Sequence, residues 1–245
     1  MPVFFIQATD LVEGKVLIRG DLFHHLAKSI RTRRGEHLIF NDELGTRYYT
    51  SVQEITKDAL LAQVDRTVTN QPLSHPSIIL GQAVLKGDKM SWVIQKATEL
   101  GVDTIVPLYT ERVIAKFHPN QLTAMTKRWD RIGLEAAQQS ERWTLPKIQS
   151  ICPFDQFINQ YAKLPDKLIL AERSTGLRIS QHAFPTSSKG QIVIAIGPEG
   201  GWSSEELTAA EATKFSFTTL GQYILRAETA SIAALAILQS RLQEL

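Results

Sequence analysis

The residues best placed to do chemistry lie in two loops near the end of the 245-residue chain. Gly197-Pro198-Glu199-Gly200-Gly201-Trp202 directly follows the apolar run 191–196, and Leu220-Gly221-Gln222-Tyr223-Ile224-Leu225-Arg226-Ala227-Glu228-Thr229-Ala230 follows the run 215–219. Glycines just after a buried strand permit a tight turn or a close backbone approach to a ligand. Ser203-Ser204-Glu205-Glu206 matches a capping box, so a helix is expected right after the first loop. A second helix is expected from about residue 228 onward. Two strand–loop–helix units would then border one pocket.

The ligand of such a pocket is narrowed by what the loops lack. Neither Gly-x-Gly-x-x-Gly after the first strand nor Gly-Lys-Ser/Thr occurs, so the dinucleotide and P-loop readings fall away. Glu199, a carboxylate inside the turn, would repel a triphosphate but suits a cationic ligand. Arg226 and Glu228 stand where the second helix begins. There an arginine could stabilise a developing anion and a carboxylate could accept a proton. Glu228 would equally favour the positive end of a helix dipole. The glycines could be turn formers alone, Glu199 could orient loop amides or pair with a basic residue, and Ile224 and Leu225 could be core.

The elements that must position these residues are readable from periodicity. Short β-like runs at 4–6, 15–18, 37–40, 48–55 and 60–68 fill the first seventy residues, with one short helix around 24–30, and predict a small β-barrel. Residues 70–76, with two prolines, form the linker candidate. Beyond them strands at 77–84, 104–108, 167–171, 191–196 and 215–219 alternate with helical patterns. Met90, Val93, Ile94, Ala97 and Leu100 stop before Gly101, and Leu122, Met125, Trp129, Ile132 and Ala136 mark a longer helix. Such alternation predicts an α/β domain with a parallel sheet covered on both faces. The last helix, 229–243, is apolar nearly all round and is expected to be buried on more than one side.

Composition sets the outer bounds. A hydrophobic content of 43% supports a packed core. No apolar run approaches the roughly 20 residues that span a bilayer, and the first residues lack the charged region of a signal peptide, so no membrane association and a cytoplasmic location are expected. The single cysteine, Cys152, excludes an intramolecular disulfide, and no cluster of His, Asp and Glu has metal-ligand spacing, so no metal is expected. The net charge of +2 is too small to argue nucleic-acid binding by itself. Its distribution says more: Lys28, Arg31, Arg33 and Arg34 cluster with no acid between Asp21 and Glu36. This patch reads either as a phosphate-neutralising surface or as a solvated face.

Taken in order, the two loops, preceded by Lys86-Gly87-Asp88-Lys89-Met90 and Gln95-Lys96-Ala97-Thr98-Glu99-Leu100-Gly101-Val102, resemble the diagnostic segments of the knotted SPOUT methyltransferases. Within them the match is to the RsmE family of 16S ribosomal RNA uridine N3-methyltransferases. Gln222-Tyr223 departs from the proline and arginine found there in many relatives, which bears on the substrate side more than on the cofactor. The resemblance implies a PUA-like RNA-binding β-barrel over residues 1–72, with His24-His25-Leu26 and Ile30-Arg31 on its helix. It further implies a SPOUT-type α/β methyltransferase domain over 73–245 with a trefoil knot, and a homodimer with cofactor pockets near the subunit interface.

S-adenosyl-L-methionine is the cofactor the resemblance implies, held by Leu170, Ile196, Gly197, Gly200, Leu220, Gly221, Ile224, Leu225 and Ala230. Ribosomal RNA, within the small subunit, would be the partner. Uridine N3 carries a proton at neutral pH, so Arg226 as anion stabiliser and Glu228 as proton acceptor are the catalytic candidates. A SPOUT relative acting on another RNA or atom, and a non-catalytic RNA-binding or ribosome-assembly protein, are the alternatives.

Overall fold

The computed structural model describes residues 3–70, 76–113, 119–172, 176–184 and 189–243. The chain divides into two units, Met1–Gln71 with Ala137–Leu145, and Pro72–Ala136 with Pro146–Leu245. The excursion of Ala137–Leu145 into the first unit has no counterpart in the division at residue 72 read from sequence. Residues 71–75 of the linker candidate, with His75, and His118 lie outside the described residues.

In the first unit, strands β1 (Val3–Phe5), β2 (Leu11–Val12), β3 (Lys15–Ile18), β4 (His37–Asn41), β5 (Thr46–Ile55) and β6 (Leu60–Thr69) form one sheet in the order β1-β4-β5-β6-β3-β2. All neighbours are antiparallel except β1 and β4. Alternation does the sorting: Val16 and Ile18 of β3, Leu38 and Phe40 of β4, and Leu60 and Ala62 of β6 turn into one core with Phe4, Phe23, Leu26 and Val52. The pairing runs between two edges, β1 and β2, and among the described residues no ladder joins them; the barrel expected from the strand count is an edged sheet at the level of its pairing. Register shifts at Tyr49/Thr50 and Val52/Glu54 bend the long β5–β6 ribbon over this core. The helix expected at 24–30 starts earlier, as α1 (Gly20–His24). It continues into a π-helical stretch, His25–Ile30, closed by Arg31 in the left-handed region at φ +60°.

The segment 137–145 is held to this unit by buried polar chemistry. The Arg47 Nε donates to Asn41 Oδ1 at 2.9 Å and its Nη2 to the Glu141 carbonyl at 2.9 Å, while its guanidinium lies 4.0 Å from the centre of the Trp143 ring. The Asn41 Nδ2 donates to the Arg142 carbonyl at 2.8 Å. Both side chains are buried, so each hydrogen bond also spares the desolvation cost of an unmet polar group.

The second unit contains β7 (Ser77–Ala83), α2 (Lys89–Glu99), β8 (Thr104–Tyr109), α3 (Pro119–Gln139, whose last residues belong to the first unit), β9 (Lys147–Ile148) and β10 (Cys152–Pro153). It continues with α4 (Phe154–Gln160), β11 (Asp166–Leu170), β12 (Leu177–Arg178), β13 (Gln191–Ile196), α5 (Ser204–Ala212), β14 (Ser216–Thr219) and α6 (Ala227–Gln243). Its sheet runs β10-β8-β7-β13-β11-β14-β12, with β9 also on β8, and every pair is parallel. Parallel strands buried on both faces carry apolar residues at every position, and successive ones go to opposite layers. Ile78, Leu80, Ile192, Ile194 and Ile196 meet α2, α3 and α6, whereas Ile79, Val193 and Ala195 meet α4 and α5.

Local signals set the helix ends. Gly101, at φ +80°, follows the α2 C-cap Leu100, the left-handed stop expected of a C′ glycine. Helix α6 departs from its expectation. Ala227, Ala230, Ser231, Ala234, Leu235, Leu238 and Leu242 are buried along one face, while Ile232, Ala233 and Ile237 are half-buried and Ala236 is exposed. One face docks against α2 and the sheet, with Ile232, Ala233 and Ile237 flanking it.

Packing leaves Gly81 no room to change. A Cβ there would fall inside the ring of Phe157, one of the largest wholly buried side chains. Gly81→Ala should therefore destabilise the protein by about 1–3 kcal/mol, the usual cost of overpacking a core, read as a lower midpoint in urea unfolding.

Candidate functional site

A cleft of about 540 Å³ opens at the C-terminal ends of β11, β13 and β14, where parallel α/β sheets take their ligands. Its walls come from the loops after β8, β11, β13 and β14, with Leu207 of α5 and the start of α6. Leu170, Ile196, Gly197, Gly200, Leu220, Gly221, Leu225 and Ala230, eight of the nine residues expected to hold a cofactor, line it. Ile224 does not; it is 62% exposed and outside the lining. Leu225, half-buried, lines the cleft in its place.

The first loop is built as its sequence predicts. Gly201, at φ +69°, closes a turn by donating its N–H to the Pro198 carbonyl at 2.9 Å. Ser203 then caps α5: its Oγ accepts from the Glu206 N–H at 3.2 Å, and its own N–H donates to Glu206 Oε2 at 2.9 Å. Glu206 reaches further than a cap needs, since its Oε1 accepts the Glu111 N–H from the loop after β8 at 2.9 Å.

Several cleft residues had no role in the sequence reading. Trp202 donates its Nε1–H to the Leu170 carbonyl at 2.8 Å, binding the first loop to the end of β11. A Cβ on Gly197 would meet the Trp202 ring at 3.1 Å, and one on Gly200 would meet the Arg112 Cβ at 3.1 Å. Small size at these positions thus serves protein packing, where the sequence suggested approach to a ligand. Arg112 also donates to the Gly200 carbonyl at 3.2 Å and lines the cleft. Glycine spacing gave no sign of Arg112, which lies far along the chain from Gly200.

The two catalytic candidates sit beside the cleft, outside its lining. Arg226 is exposed, and its carbonyl accepts the Ala230 N–H at 2.8 Å as α6 begins. Glu228 is mostly buried in the first turn of α6. Its Oε1 lies 3.7 Å from Lys89 Nζ, and its buried Oε2 has no hydrogen-bond partner among the described residues. Lys89 also contacts Glu199 Oε1 at 3.0 Å, which accepts the Lys86 N–H at 3.4 Å as well. Burial pushes the Glu199 carboxyl up, but the hydrogen bonds and charge of Lys89 and the backbone donors outweigh it and hold the group below the ordinary carboxylate range.

Elsewhere the chemistry is inert. Burial, then nearby Asp155, pushes the half-buried Cys152 thiol up, away from reactivity. Among the described residues no three His, Cys, Asp or Glu side chains form a metal-binding group, and no helix is long and apolar enough to cross a membrane. Lys28, Arg31, Arg33 and Arg34, in the first unit, are all exposed, and none makes an ion pair among the described residues.

An all-parallel α/β sheet with a cleft of glycine loops at its C-terminal end is a common ligand-binding architecture, and the match of residues 72–239 to the RNA methyltransferase domain assigns the class. The ribosomal RNA small subunit methyltransferase E of Synechocystis is 33% identical over 240 residues, 97% of this chain and 77% of that one. The protein of the same name from Bacillus subtilis is 31% identical over 245 residues, 96% of this chain and 95% of its own. A crystal structure of the same-named protein from Neisseria gonorrhoeae, bound to S-adenosyl methionine, is 30% identical with a TM-score of 0.85 over 98% of each chain. The chain belongs to the ribosomal RNA small subunit methyltransferase E family, as the order of its loops suggests.

Acid should loosen the loop. With the folded Glu199 value below the ordinary 4.5, its stabilisation is complete above that value and is lost as pH falls through the lower folded one. Thermal unfolding followed from about pH 6 to 3 should show this loss, and Glu199→Gln should flatten it. Identical pH profiles for the two proteins would remove Glu199 from the stability of the cleft.

Proposed function

We propose that this protein transfers a methyl group from S-adenosylmethionine to N3 of a uridine in small-subunit ribosomal RNA. The observation that carries the reading is the cleft itself. Its floor is apolar, from Leu170, Ile196, Leu220, Leu225 and Ala230, and its carboxylates are Glu172 and Glu199. That donor set fits a sulfonium cation joined to a flat adenine ring, and the volume lies within the usual range of about 300–1,000 Å³ for small-molecule sites. When bound, the cofactor supplies an electrophilic methyl group on a positively charged sulfur.

The chain's own residues then have to place the nucleophile and manage one proton. Uridine N3 must lose its proton to attack. Arg226, at the rim, is assigned to stabilise the uridine anion through a carbonyl oxygen, and Glu228 to accept the proton. The exposure of Arg226 supports contact with a large substrate arriving from solvent. The first unit, read as a PUA-like domain, would supply RNA affinity through Lys28, Arg31, Arg33 and Arg34, which protein carboxylates leave free for phosphates.

Three further features belong to the same reading. A trefoil knot in the part of the chain that carries the cleft loops rests on family membership. A homodimer is supported by Tyr223 and Ile224, 77% and 62% exposed on a cleft loop, and by exposed Trp92; sedimentation is its check. A cytoplasmic location follows from the proposed substrate.

Methylation at N3 occupies the Watson–Crick edge, so the product should arrest reverse transcription at one uridine, which a 2′-O-methyl group would not do in this way. Arg226→Ala should lower the single-turnover rate by roughly 10²–10³ with little change in cofactor affinity. Glu228→Gln should be impaired most at low pH and recover as the uridine ionises unaided. A wild-type rate for Glu228→Gln at every pH would remove it as the base.

Changing Arg31, Arg33 and Arg34 together to Ala should weaken RNA binding and reduce its salt dependence, because fewer counterions are released. Filter binding over a salt series measures both quantities. An unchanged slope would make this cluster a solvated face.

A further inference from the structure

We propose that Lys89 is the positioning residue of the cleft, its single ammonium tying the Glu199 turn to the first turn of α6. The two pieces it joins are cleft walls from separate parts of the chain: Glu199 itself lines the cleft, and Glu228 sits between the lining residues Ala227 and Ala230. Lys89 Nζ lies 3.0 Å from Glu199 Oε1 and 3.7 Å from Glu228 Oε1. Among the described residues neither carboxylate has another cationic side chain to turn to. Glu199 accepts only backbone donors besides Lys89, and the Glu228 Oε2 is buried without a partner. Of the nearby charges, Asp88 is held by Arg128 at 2.7 Å, and Arg112 donates to the Gly200 carbonyl.

Burial decides how much this matters. The Glu228 side chain is 14% exposed, against 36% for Lys89. A carboxylate that far from water is costly without its counter-charge, and removing one partner of such a pair costs more than the pair is worth. Without Lys89 two carboxylates would face each other across the junction, and the turn would move away from α6. Lys89 thereby also holds in place the carboxylate assigned above as the base. This last step, and the affinity arm of the test, rest on the proposed function; the junction itself does not.

A plain electrostatic reading makes the opposite forecast. If Lys89 were only a cation near a site for a cationic ligand, its removal would tighten binding of S-adenosylmethionine and leave the uncharged-sulfur product S-adenosylhomocysteine alone. A positioning role predicts that both bind more weakly.

The experiment uses the full chain. In ligand-free protein, Lys89→Met should speed amide exchange over residues 197–202, and calorimetry should show S-adenosylmethionine and S-adenosylhomocysteine each bound roughly tenfold more weakly. Lys89→Arg should retain most of the affinity, and adding Glu199→Gln and Glu228→Gln to Lys89→Met should restore part of the loss by removing the unpaired charges. Unchanged exchange over 197–202, or a gain in S-adenosylmethionine affinity alone, would overturn the proposal. Should Lys89→Met fail to fold, Glu199→Gln, nearly isosteric, must speed the same exchange, and its failure to do so counts equally against Lys89. A wild-type chain that binds neither ligand would refute the cofactor reading, leaving exchange to decide the role of Lys89.

Discussion

Strand β13 is the constraint on which the second unit depends. It is paired along its length with β7 on one side and with β11 on the other, so its backbone polar groups are committed to the sheet. Its side chains are committed as well, Ile192, Ile194 and Ile196 to one helical layer and Val193 and Ala195 to the other. A strand used on both edges and both faces has only its end left to offer. The turn at Gly197 to Gly201 begins where that end emerges, and the cleft forms there, at the end of the strands where parallel sheets take their ligands.

Rigidity at that end comes from a few polar contacts set into apolar surroundings. Trp202 pins the first loop to β11 through one hydrogen bond, and Ser231 of α6 donates to the buried Gln82 near the end of β7. A satisfied polar pair in the core costs little net energy, yet it admits one register between helix and strand where an all-apolar contact would allow sliding. The start of α6 is thereby fixed against the sheet before any ligand contributes.

Local rules made much of this legible in the sequence. Ser203 and Glu206 announce α5 because a cap is settled by residues three apart, and Gly101 ends α2 because only a left-handed residue fits there. Alternation and apolar runs located β3 and β13 to the residue. Helix α4 went unread although Phe154, Phe157, Ile158 and Tyr161 carry its helical spacing; at seven residues it is too short for periodicity to stand out. The edge strands β9, β10 and β12, two residues each, owe their existence to a neighbour and carry no pattern of their own. The same limit applies to the site. Glycine loops are visible along the chain, but the contact of Arg112 with Gly200, the reach of Lys89 and the outward turn of Ile224 depend on which segments meet.

The return of residues 137–145 to the first unit bears on how the protein is made. The side chains that receive this segment, Asn41 and Arg47, leave the ribosome early, while the carbonyls of Glu141 and Arg142 that satisfy them follow only after β7, α2, β8 and most of α3 have been synthesised. In a nascent chain halted after the last strand of the first sheet, Arg47 would have Asn41 as an acceptor but not yet the carbonyls of Glu141 and Arg142. The last segment of the amino-terminal unit is thus synthesised only after the first part of the carboxy-terminal one, so the two units cannot be completed strictly one after the other along the chain.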